Sequence, residues 1–321
     1  MTRRLLISAA LLLAALSGSA VDNNTVVIVY NGSSATVTIA DNIKSYITNN
    51  SNGSHVNLIQ SSSFTGNSTG EIVYNLSGSS DDGQFYMEGS YKASLVLAGL
   101  DLTNASGAAI DIQNGKRINV SIQNGTVNSL TDCANGSQKG CFVCKGHAEF
   151  KGRGSLTVNG RTSHAIWANE YVEVKNCAIS IPNAAKDGIN CNQYFLMESG
   201  SVNIVSPADD GIQVSYKDTP QTEAEDTGNF TMKDGTLSIT GHGGVCIKTD
   251  GYIAYNGGTQ NFNTSDVIEH ASTGIIGITT ADDDGTEAAY DLSWRRLPDG
   301  MPPRGIVILK GKQKSRKVIR R

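Results

Sequence analysis

Short runs of alternating apolar and polar residues recur through most of the chain. Residues 172–174 read Val-Glu-Val, and residues 179–181 read Ile-Ser-Ile. Such alternation is typical of a β-strand with one buried face, because successive side chains point to opposite sides of the strand. Glycine separates many neighbouring runs, where a turn is required. The separating glycines are Gly125, Gly154, Gly200, Gly235 and Gly258. The pattern predicts an all-β fold.

The runs belong to a repeat whose units begin with a small residue followed by apolar-x-apolar. These markers begin at Ala109, Gly140, Ala165, Gly188, Gly211 and Gly244. The interval is constant from Ala165 through Gly188 to Gly211 and is longer where polar insertions occur. Short strands without intervening helices predict a right-handed parallel β-helix, in which each coil stacks about 4.8 Å from the next. A β-sandwich is the alternative, and the even spacing disfavours it.

The first part of the chain is less regular than the repeat. Strands before residue 100 are expected to form early coils or a capping sheet. The polar residues 45–70 are expected to form a loop.

Stacked coils place equivalent residues in columns. The markers predict an inward column of Ile110, Cys141, Ile166, Ile189, Ile212 and Val245. A second inward column is predicted for Val143, Ala168, Cys191, Val214 and Ile247. The same alignment directs Phe142 and Trp167 outward, where their rings would stack on sugar faces. Packing beneath the insertion at 132–138 is the alternative for these rings. Asn190 and Gln213 would add neutral hydrogen bonds along an extended glycan.

An acidic column is predicted on the outside of the coils. His164, Asp187 and Asp210 follow one another at the constant interval of the repeat, and Asp209 lies beside the last of them. Stacked carboxylates repel one another unless a pKa rises or a cation lies between them. Calcium is the expected cation in an exported protein, because it accepts six to eight oxygen ligands in irregular geometry. The alternative is that each aspartate only caps a turn before glycine. His242 continues the neighbouring column.

The N-terminus has the features of a secretory signal. Arg3 and Arg4 precede an apolar run from Leu5 to Leu16, and small residues at 18–20 suggest cleavage after Ala20. The apolar run is too short to span a bilayer as a helix. The mature chain is therefore expected to be secreted or held at the bacterial cell surface.

Charge divides the mature chain into an acidic body and a basic tail. Residues 21–285 carry 14 basic and 27 acidic residues, a net charge of −13, whereas residues 286–321 carry ten basic and three acidic residues. An acidic body is not typical of a nucleic-acid-binding protein. We therefore expect a signal peptide over 1–20, a β-helical domain over 21–285 and a basic tail over 286–321.

Six cysteines in an exported chain permit disulfide bonds. A bridge from Cys133 to Cys141 or to Cys144 could close a turn. Cys141 and Cys144 lack a second ligand pair at zinc-binding spacing, so this pair does not indicate a zinc site. Cys177, Cys191 and Cys246 are expected to be buried thiols.

Several motifs resemble a bacterial family known as carbohydrate-binding domain-containing proteins. They are Gly107–Ile112, Asn128–Asp132, the Asp-Gly-Ile of 187–189 and the Asp-Asp-Gly-Ile of 209–212. The resemblance covers roughly residues 70–265. It implies a calcium-binding parallel β-helix that binds polygalacturonate and cellulose, with calcium ligated by Asp187, Asp209, Asp210 and Asp250. His164, the cysteine cluster and the insertion at 218–228 depart from the family pattern.

The C-terminal residues resemble the sorting tails of exported Bacteroidetes proteins. The matching segments are Tyr290–Leu297, Arg304–Ile308 and Gly311–Lys314, with Trp294 standing where that pattern usually has glycine. The resemblance implies display on the outer surface or release from it. A frayed basic tail is the alternative for 312–321.

Three functions remain open from the sequence. The first is calcium-dependent binding of a polyuronate or another extended glycan. The second is a polysaccharide-degrading enzyme. A hydrolase is suggested because Asp187, the 209–210 pair and His242 follow the order of polygalacturonase motifs. In a lyase, Lys186 or Lys217 would be the base. The third is a surface adhesin. The residues expected to contact carbohydrate are Phe142, Trp167, Asn190, Gln213, His164 and His242.

Overall fold

The computed structural model describes residues 21–66, 68, 70–269, 288–290, 305–310 and 315–320. The chain divides into two compact units, residues 1–270 and 271–321. The predicted signal peptide and the predicted domain boundary at residue 285 lie outside the described residues, as does Trp294 of the predicted sorting tail.

The first unit begins with long strands and a short helix. These elements are β1 (Thr25–Asn31), β2 (Ser34–Ile39), a 3₁₀ helix (Asp41–Tyr46), β3 (Ile47–Asn49), β4 (His55–Gln60), β5 (Ile72–Ser80), β6 (Gln84–Glu88) and β7 (Ala93–Thr103). β1, β5 and β7 pair in parallel, whereas β2 and β3 are antiparallel to β1 and β4 respectively. The expectation of a loop over 45–70 is wrong for β4, since Val56 and Leu58 are fully buried there.

From residue 110 onward the strands stack on three faces. Face 1 continues β4 and β6 with β8 (Ile110–Gln113), β11 (Gly140–Cys144), β14 (His164–Ala168), β17 (Ile189–Asn192), β20 (Ile212–Ser215), β23 (Ile247–Thr249) and β26 (Val267–Glu269). Face 2 holds β9 (Ile118–Ile122), β12 (Ala148–Gly152), β15 (Val172–Lys175), β18 (Tyr194–Met197), β21 (Asn229–Met232) and β24 (Ile253–Tyr255). Face 3 holds β10 (Val127–Thr131), β13 (Ser155–Asn159), β16 (Ala178–Ile181), β19 (Ser201–Ile204), β22 (Thr236–Ile239) and β25 (Thr259–Asn261).

The long strand β7 joins faces 2 and 3 into one 16-stranded sheet, while face 1 is a separate 10-stranded sheet. The first half of β7 pairs with β9 and its second half with β10. The pairings between successive coils are parallel, and Ile166, Ile189 and Ile212 stack in register at the constant interval of the repeat. The predicted parallel β-helix is therefore confirmed.

The inward columns differ from the predicted ones in two coils. Phe142, not Cys141, pairs with Ile110 and Ile166, so its ring is fully buried against Phe150. The prediction that Phe142 faces outward toward carbohydrate is wrong. All five residues of β11 are buried. The strand therefore lacks the alternation of apolar and polar residues that would show which side chains point inward. Val143 occupies the outward position, where it lines a cleft with residues 137–139 of the insertion.

The second difference is at β23. Ile247 pairs with Ile212, so Val245 precedes the strand and lies outside the inward column. The predicted alignment is therefore out of register at this coil. Seven residues separate β22 from β23, as they separate β16 from β17 and β19 from β20. The added length of this coil lies between β20 and β21, and the misalignment arises because Gly244–Ile247 imitates the marker two residues too early.

All six cysteines are buried, unpaired thiols. Neither predicted bridge of Cys133 is formed, whereas the prediction that Cys177, Cys191 and Cys246 are buried thiols is confirmed. The described part of the chain contains no helix with the length and apolar character needed to cross a membrane.

The described backbone of the second unit is a three-stranded antiparallel sheet. It consists of β27 (Ala288–Tyr290), β28 (Gly305–Lys310) and β29 (Ser315–Arg320), with β28 in the centre.

Replacing a stacked inward side chain is expected to destabilise the coils. Ile204 is fully buried on β19, and Ile204→Ala should lower the free energy of unfolding by about 2–5 kcal/mol because it removes buried methyl groups and leaves a cavity. Urea unfolding followed by circular dichroism measures this loss. Its neighbour Asn203 is exposed, so Asn203→Ala is the matched control and should change stability little. Equal losses in the two variants would contradict the assigned register.

Candidate functional site

An acidic cluster lies where the chain passes from face 3 to face 1. Asp187 and Asp210 each stand just before a face 1 strand, and the stacking of β17 on β20 brings them together. One carboxylate oxygen from each of Asp187, Asp209 and Asp210 lies within 4.8 Å of the other two. The predicted vertical juxtaposition of these aspartates is therefore present.

The glycine after each aspartate permits this close approach. A Cβ atom on Gly188 would lie 2.7 Å from the carbonyl oxygen of Gly211, and one on Gly211 would lie 2.5 Å from the carbonyl oxygen of Cys246. Real Cβ atoms do not occupy such positions, because they would overlap the backbone of the next coil. The Asp-Gly-Ile motif thus combines a carboxylate with the one residue that allows the turns to stack.

Each buried carboxylate caps the turn of the following coil. Asp187 Oδ1 accepts a hydrogen bond from the backbone N–H of Asp210 at 3.1 Å, and Asp210 Oδ1 accepts one from the N–H of Val245 at 2.9 Å. The capping interpretation is therefore correct for one oxygen of each residue. The second oxygen of each carboxylate and the exposed Asp209 side chain are left for other partners.

Asp187 is held in its charged form. Its Oδ2 lies 3.1 Å from Nδ1 of His164 and accepts a hydrogen bond from Nδ2 of Asn190 at 2.8 Å. Burial raises the pKa of the Asp187 carboxyl, but the hydrogen bonds and the charge of His164 outweigh burial and bring the pKa below its usual value. His164 therefore acts on the aspartate of the next coil, as their spacing of one repeat predicts.

Asp210 is in the opposite situation. Burial raises the pKa of its carboxyl, and the charges of Asp187 and Asp209 reinforce this effect against the Val245 hydrogen bond and the Lys248 ammonium. Its Oδ2 is buried without a hydrogen-bond partner, and Lys248 Nζ is 3.4 Å away. This buried oxygen therefore lies beside two further carboxylates, with the Lys248 ammonium as its counter-charge.

The donor set at this position fits calcium. All three side chains offer carboxylate oxygens, which hard cations prefer. Asp209 is exposed, so it can turn toward an ion without breaking a cap, and Lys248, 38% exposed at its side chain, can withdraw toward solvent.

Asp250 lies apart from this cluster. It follows β23, at the other end of the strand pair β20–β23, and its Oδ2 accepts a hydrogen bond from the N–H of Tyr216 at 2.9 Å. The structure does not bring Asp250 into the acidic cluster, because the length of a strand separates it from Asp210. His242 faces Asp266, with Nε2 and Oδ2 2.8 Å apart.

A polar row runs along the outside of face 1 beside the cluster. Trp167, Asn190 and Gln213 are direct neighbours in successive strands, as predicted, and Lys248 follows them. The row meets the acidic cluster through the hydrogen bond from Asn190 to Asp187. It therefore links an aromatic side chain to the carboxylates across adjacent coils.

A cleft of about 320 Å³ lies at the Trp167 end of the row. Lys139 covers the indole ring, with Nζ 4.0 Å from the ring centroid, and Lys145, Asp111 and Asn169 line the walls. The combination of a half-buried ring with cationic and amide groups is typical of sites for polar ligands with apolar faces.

The sequence reasoning did not identify the two lysines of the cleft. Lys145 is two residues after Val143, and side chains two residues apart point to the same side of a strand. Assigning Val143 to the outward face would therefore have predicted an outward Lys145 as well. Lys139 immediately precedes that strand, within an insertion whose path the repeat does not determine. A third missed group is the Glu170 carboxylate between His147 and Lys217, 2.5 and 2.8 Å away respectively.

Comparison with solved structures supports the fold. A structure described as the polysaccharide lyase-like protein from C. thermocellum, in a gadolinium derivative, superposes with a TM-score of 0.56 at 19% identity. The match covers 76% of this chain and 99% of that chain.

Comparison of sequences adds a relative and a family. A carbohydrate-binding domain-containing protein of Acetivibrio thermocellus is 26% identical over 119 residues, which span 34% of this chain and 42% of that relative. Residues 62–293 match the family of that description and include both the acidic cluster and the cleft. The chain belongs to the family of carbohydrate-binding domain-containing proteins.

Proposed function

We propose that the protein is an exported, calcium-dependent polysaccharide-binding protein, and that its ligand is an extended acidic glycan of the polyuronate class, such as pectin. Family membership supports carbohydrate binding. The signal-like N-terminus supports secretion or display at the bacterial cell surface.

The observation that carries the proposal is the continuity of the row on face 1 with the acidic cluster. Trp167, Asn190 and Gln213 follow one another at the spacing of the coils, about 4.8 Å. An extended glycan lying across the strands meets the ring, then the two amides, while its edge passes the cluster. The ring supplies apolar contact and the amides supply hydrogen bonds to hydroxyl groups.

The charges along this path favour an acidic sugar. Lys139 and Lys145 at the cleft can pair with uronate carboxylates. The aspartates would repel the same groups, but calcium bound there would reverse the sign of the local potential and bridge protein and sugar carboxylates. A neutral glycan would use the ring without needing either set of charges.

The geometry gives less support to catalysis. Inverting hydrolysis requires carboxyl groups about 6.5–9.5 Å apart, whereas the three aspartates present oxygens within 4.8 Å of one another. A lyase base must be neutral. Burial lowers the pKa of Lys217, but ion pairs with Glu170 and Glu223 outweigh burial and raise it above its ordinary value. Lys217 is thus held in its charged form.

Removing calcium is expected to release the glycan. Affinity of the mature chain for polygalacturonate should fall at least about tenfold after EDTA dialysis and return when calcium is added, because an uncompensated acidic cluster repels uronates. Affinity electrophoresis with and without calcium measures the effect. Unchanged retention in EDTA would contradict the proposal.

Asp209→Asn should weaken calcium binding at least about tenfold in isothermal titration calorimetry, since it removes a charged ligand without disturbing a cap. Asp81 is exposed in the early coils, and Asp81→Asn is the matched control. Equal calcium affinity in the two variants would place the ion elsewhere.

Trp167→Ala should weaken polygalacturonate binding by about 2- to 10-fold while leaving calcium affinity unchanged, because the ring contributes stacking only to the sugar. Tyr252 is a 54% exposed aromatic residue outside face 1, and Tyr252→Ala serves as the control. A larger loss in the Tyr252 variant would move the glycan to another face.

Incubation with polygalacturonate should release neither new reducing ends nor unsaturated ends. Reducing-sugar and ultraviolet absorbance assays detect the products of hydrolysis and elimination respectively. Turnover that is abolished by Asp187→Asn would show that the cluster is catalytic.

A further inference from the structure

A second cluster of ligating groups lies beside the last described coils. A ring nitrogen of His242, the thiol of Cys246 and a carboxylate oxygen of Asp266 all lie within 4.8 Å of one another. His242 and Cys246 belong to the segment before β23, and Asp266 immediately precedes β26. The cluster therefore connects two successive turns of face 1.

The backbone positions all three side chains. His242 Nδ1 lies 2.8 Å from the carbonyl oxygen of Gly244. The N–H of Cys246 donates to the carbonyl oxygen of Asp266 at 3.0 Å, and the N–H of Asp266 donates to that of Asn263 at 2.9 Å. The main-chain hydrogen bonds thus fix the backbone that carries Cys246 and Asp266, and the Gly244 carbonyl orients the His242 ring.

The contact with Gly244 places a proton on one ring nitrogen of His242 and leaves the other nitrogen to face Asp266. A carbonyl oxygen only accepts hydrogen bonds, so Nδ1 must carry a proton. Nε2 lies 2.8 Å from Asp266 Oδ2, so these two atoms must share either a proton or a bound cation. A cation bound by both atoms would take the place of the shared proton. Imidazoles that bind metals commonly donate their other N–H to a backbone carbonyl, as His242 does.

The donor types select a different metal from the acidic cluster. Calcium takes oxygen ligands, whereas nitrogen, thiolate sulfur and carboxylate oxygen together are ligands of zinc and related transition metals. Cys246 is 2% exposed, while the side chains of His242 and Asp266 are 20% and 33% exposed. The Cys246 sulfur therefore lies on the buried side of the cluster. The side chains of His242 and Asp266 lie on the solvent-accessible side, from which an ion and a water ligand can enter.

The arrangement does not suit a nucleophilic cysteine. A triad needs one ring nitrogen for the thiol and the other for the carboxylate. The Gly244 carbonyl occupies Nδ1, so Nε2 alone is left for both neighbours. A metal ion needs only this one nitrogen from His242, because the thiol and the carboxylate bind the same ion directly.

The geometry points to a zinc-type transition-metal site formed by His242 Nε2, Cys246 Sγ and Asp266 Oδ2, with water as the fourth ligand. Its role is structural, since the ion ties the segment before β23 to the turn before β26. The site is independent of the proposed glycan function, and its ligands are distinct from the aspartates of the acidic cluster.

Isothermal titration of the tag-free, reduced mature chain with zinc tests the assignment. One zinc ion per chain is expected, with a rise in the thermal unfolding temperature, because the ion binds the folded state. Cobalt titration of the same protein should give a thiolate-to-cobalt charge-transfer band. Cys246→Ser, His242→Gln and Asp266→Asn should each weaken zinc binding more than about 100-fold, because each removes a direct ligand.

Controls separate this site from other sources of affinity. Cys177→Ser replaces another buried cysteine, and Asp209→Asn alters the acidic cluster; both should retain zinc binding and the cobalt band. His242 and Asp266 are partly exposed, so their variants remain informative if Cys246→Ser fails to fold. Absence of zinc binding by the unmodified chain would overturn the site, leaving an imidazolium–carboxylate ion pair. Zinc affinity in the three ligand variants equal to that of the unmodified chain would overturn it as well.

Discussion

The parallel register between coils is the constraint on which the remaining structure depends. Once Ile166, Ile189 and Ile212 are hydrogen-bonded neighbours, every residue that keeps the same interval is fixed above its counterpart. Burial of the inward column makes this register costly to change, because a shift by one residue would turn the apolar side chains outward. The acidic cluster and the polar row on face 1 are consequences of this stacking.

The regular coils could be predicted from the sequence, and the irregular ones could not. The constant interval of the repeat placed Asp187 above Asp210 because no insertion separates their coils. Phe142 was misplaced because every residue of its strand is apolar or small and buried, which removes the alternation that reveals phase. Asp266 was missed because no repeat interval relates it to His242, and only the path of the loop brings them together.

Two groups of ligating side chains meet at one corner of the fold and differ in chemistry. The carboxylates before β17 and β20 are anchored by the N–H groups of the next coil, and the last of these N–H groups belongs to Val245. Val245 immediately precedes Cys246, so the segment that completes the acidic cluster also carries the thiol of the second group. The backbone between residues 242 and 246 thus contributes to both groups, and changes in its length affect both together.

The first coils have a further consequence for how such a fold can be extended. β2 and β3 run antiparallel to the strands beside them, and the 3₁₀ helix between them buries Ile43. Because β2 and β3 run against the direction of the coils, the parallel ladder changes to antiparallel pairing at this end of the described residues. Duplication of one whole repeat is therefore compatible with the interior of the parallel stack, whereas a further coil running in the same direction could not join β2 or β3 by parallel pairing.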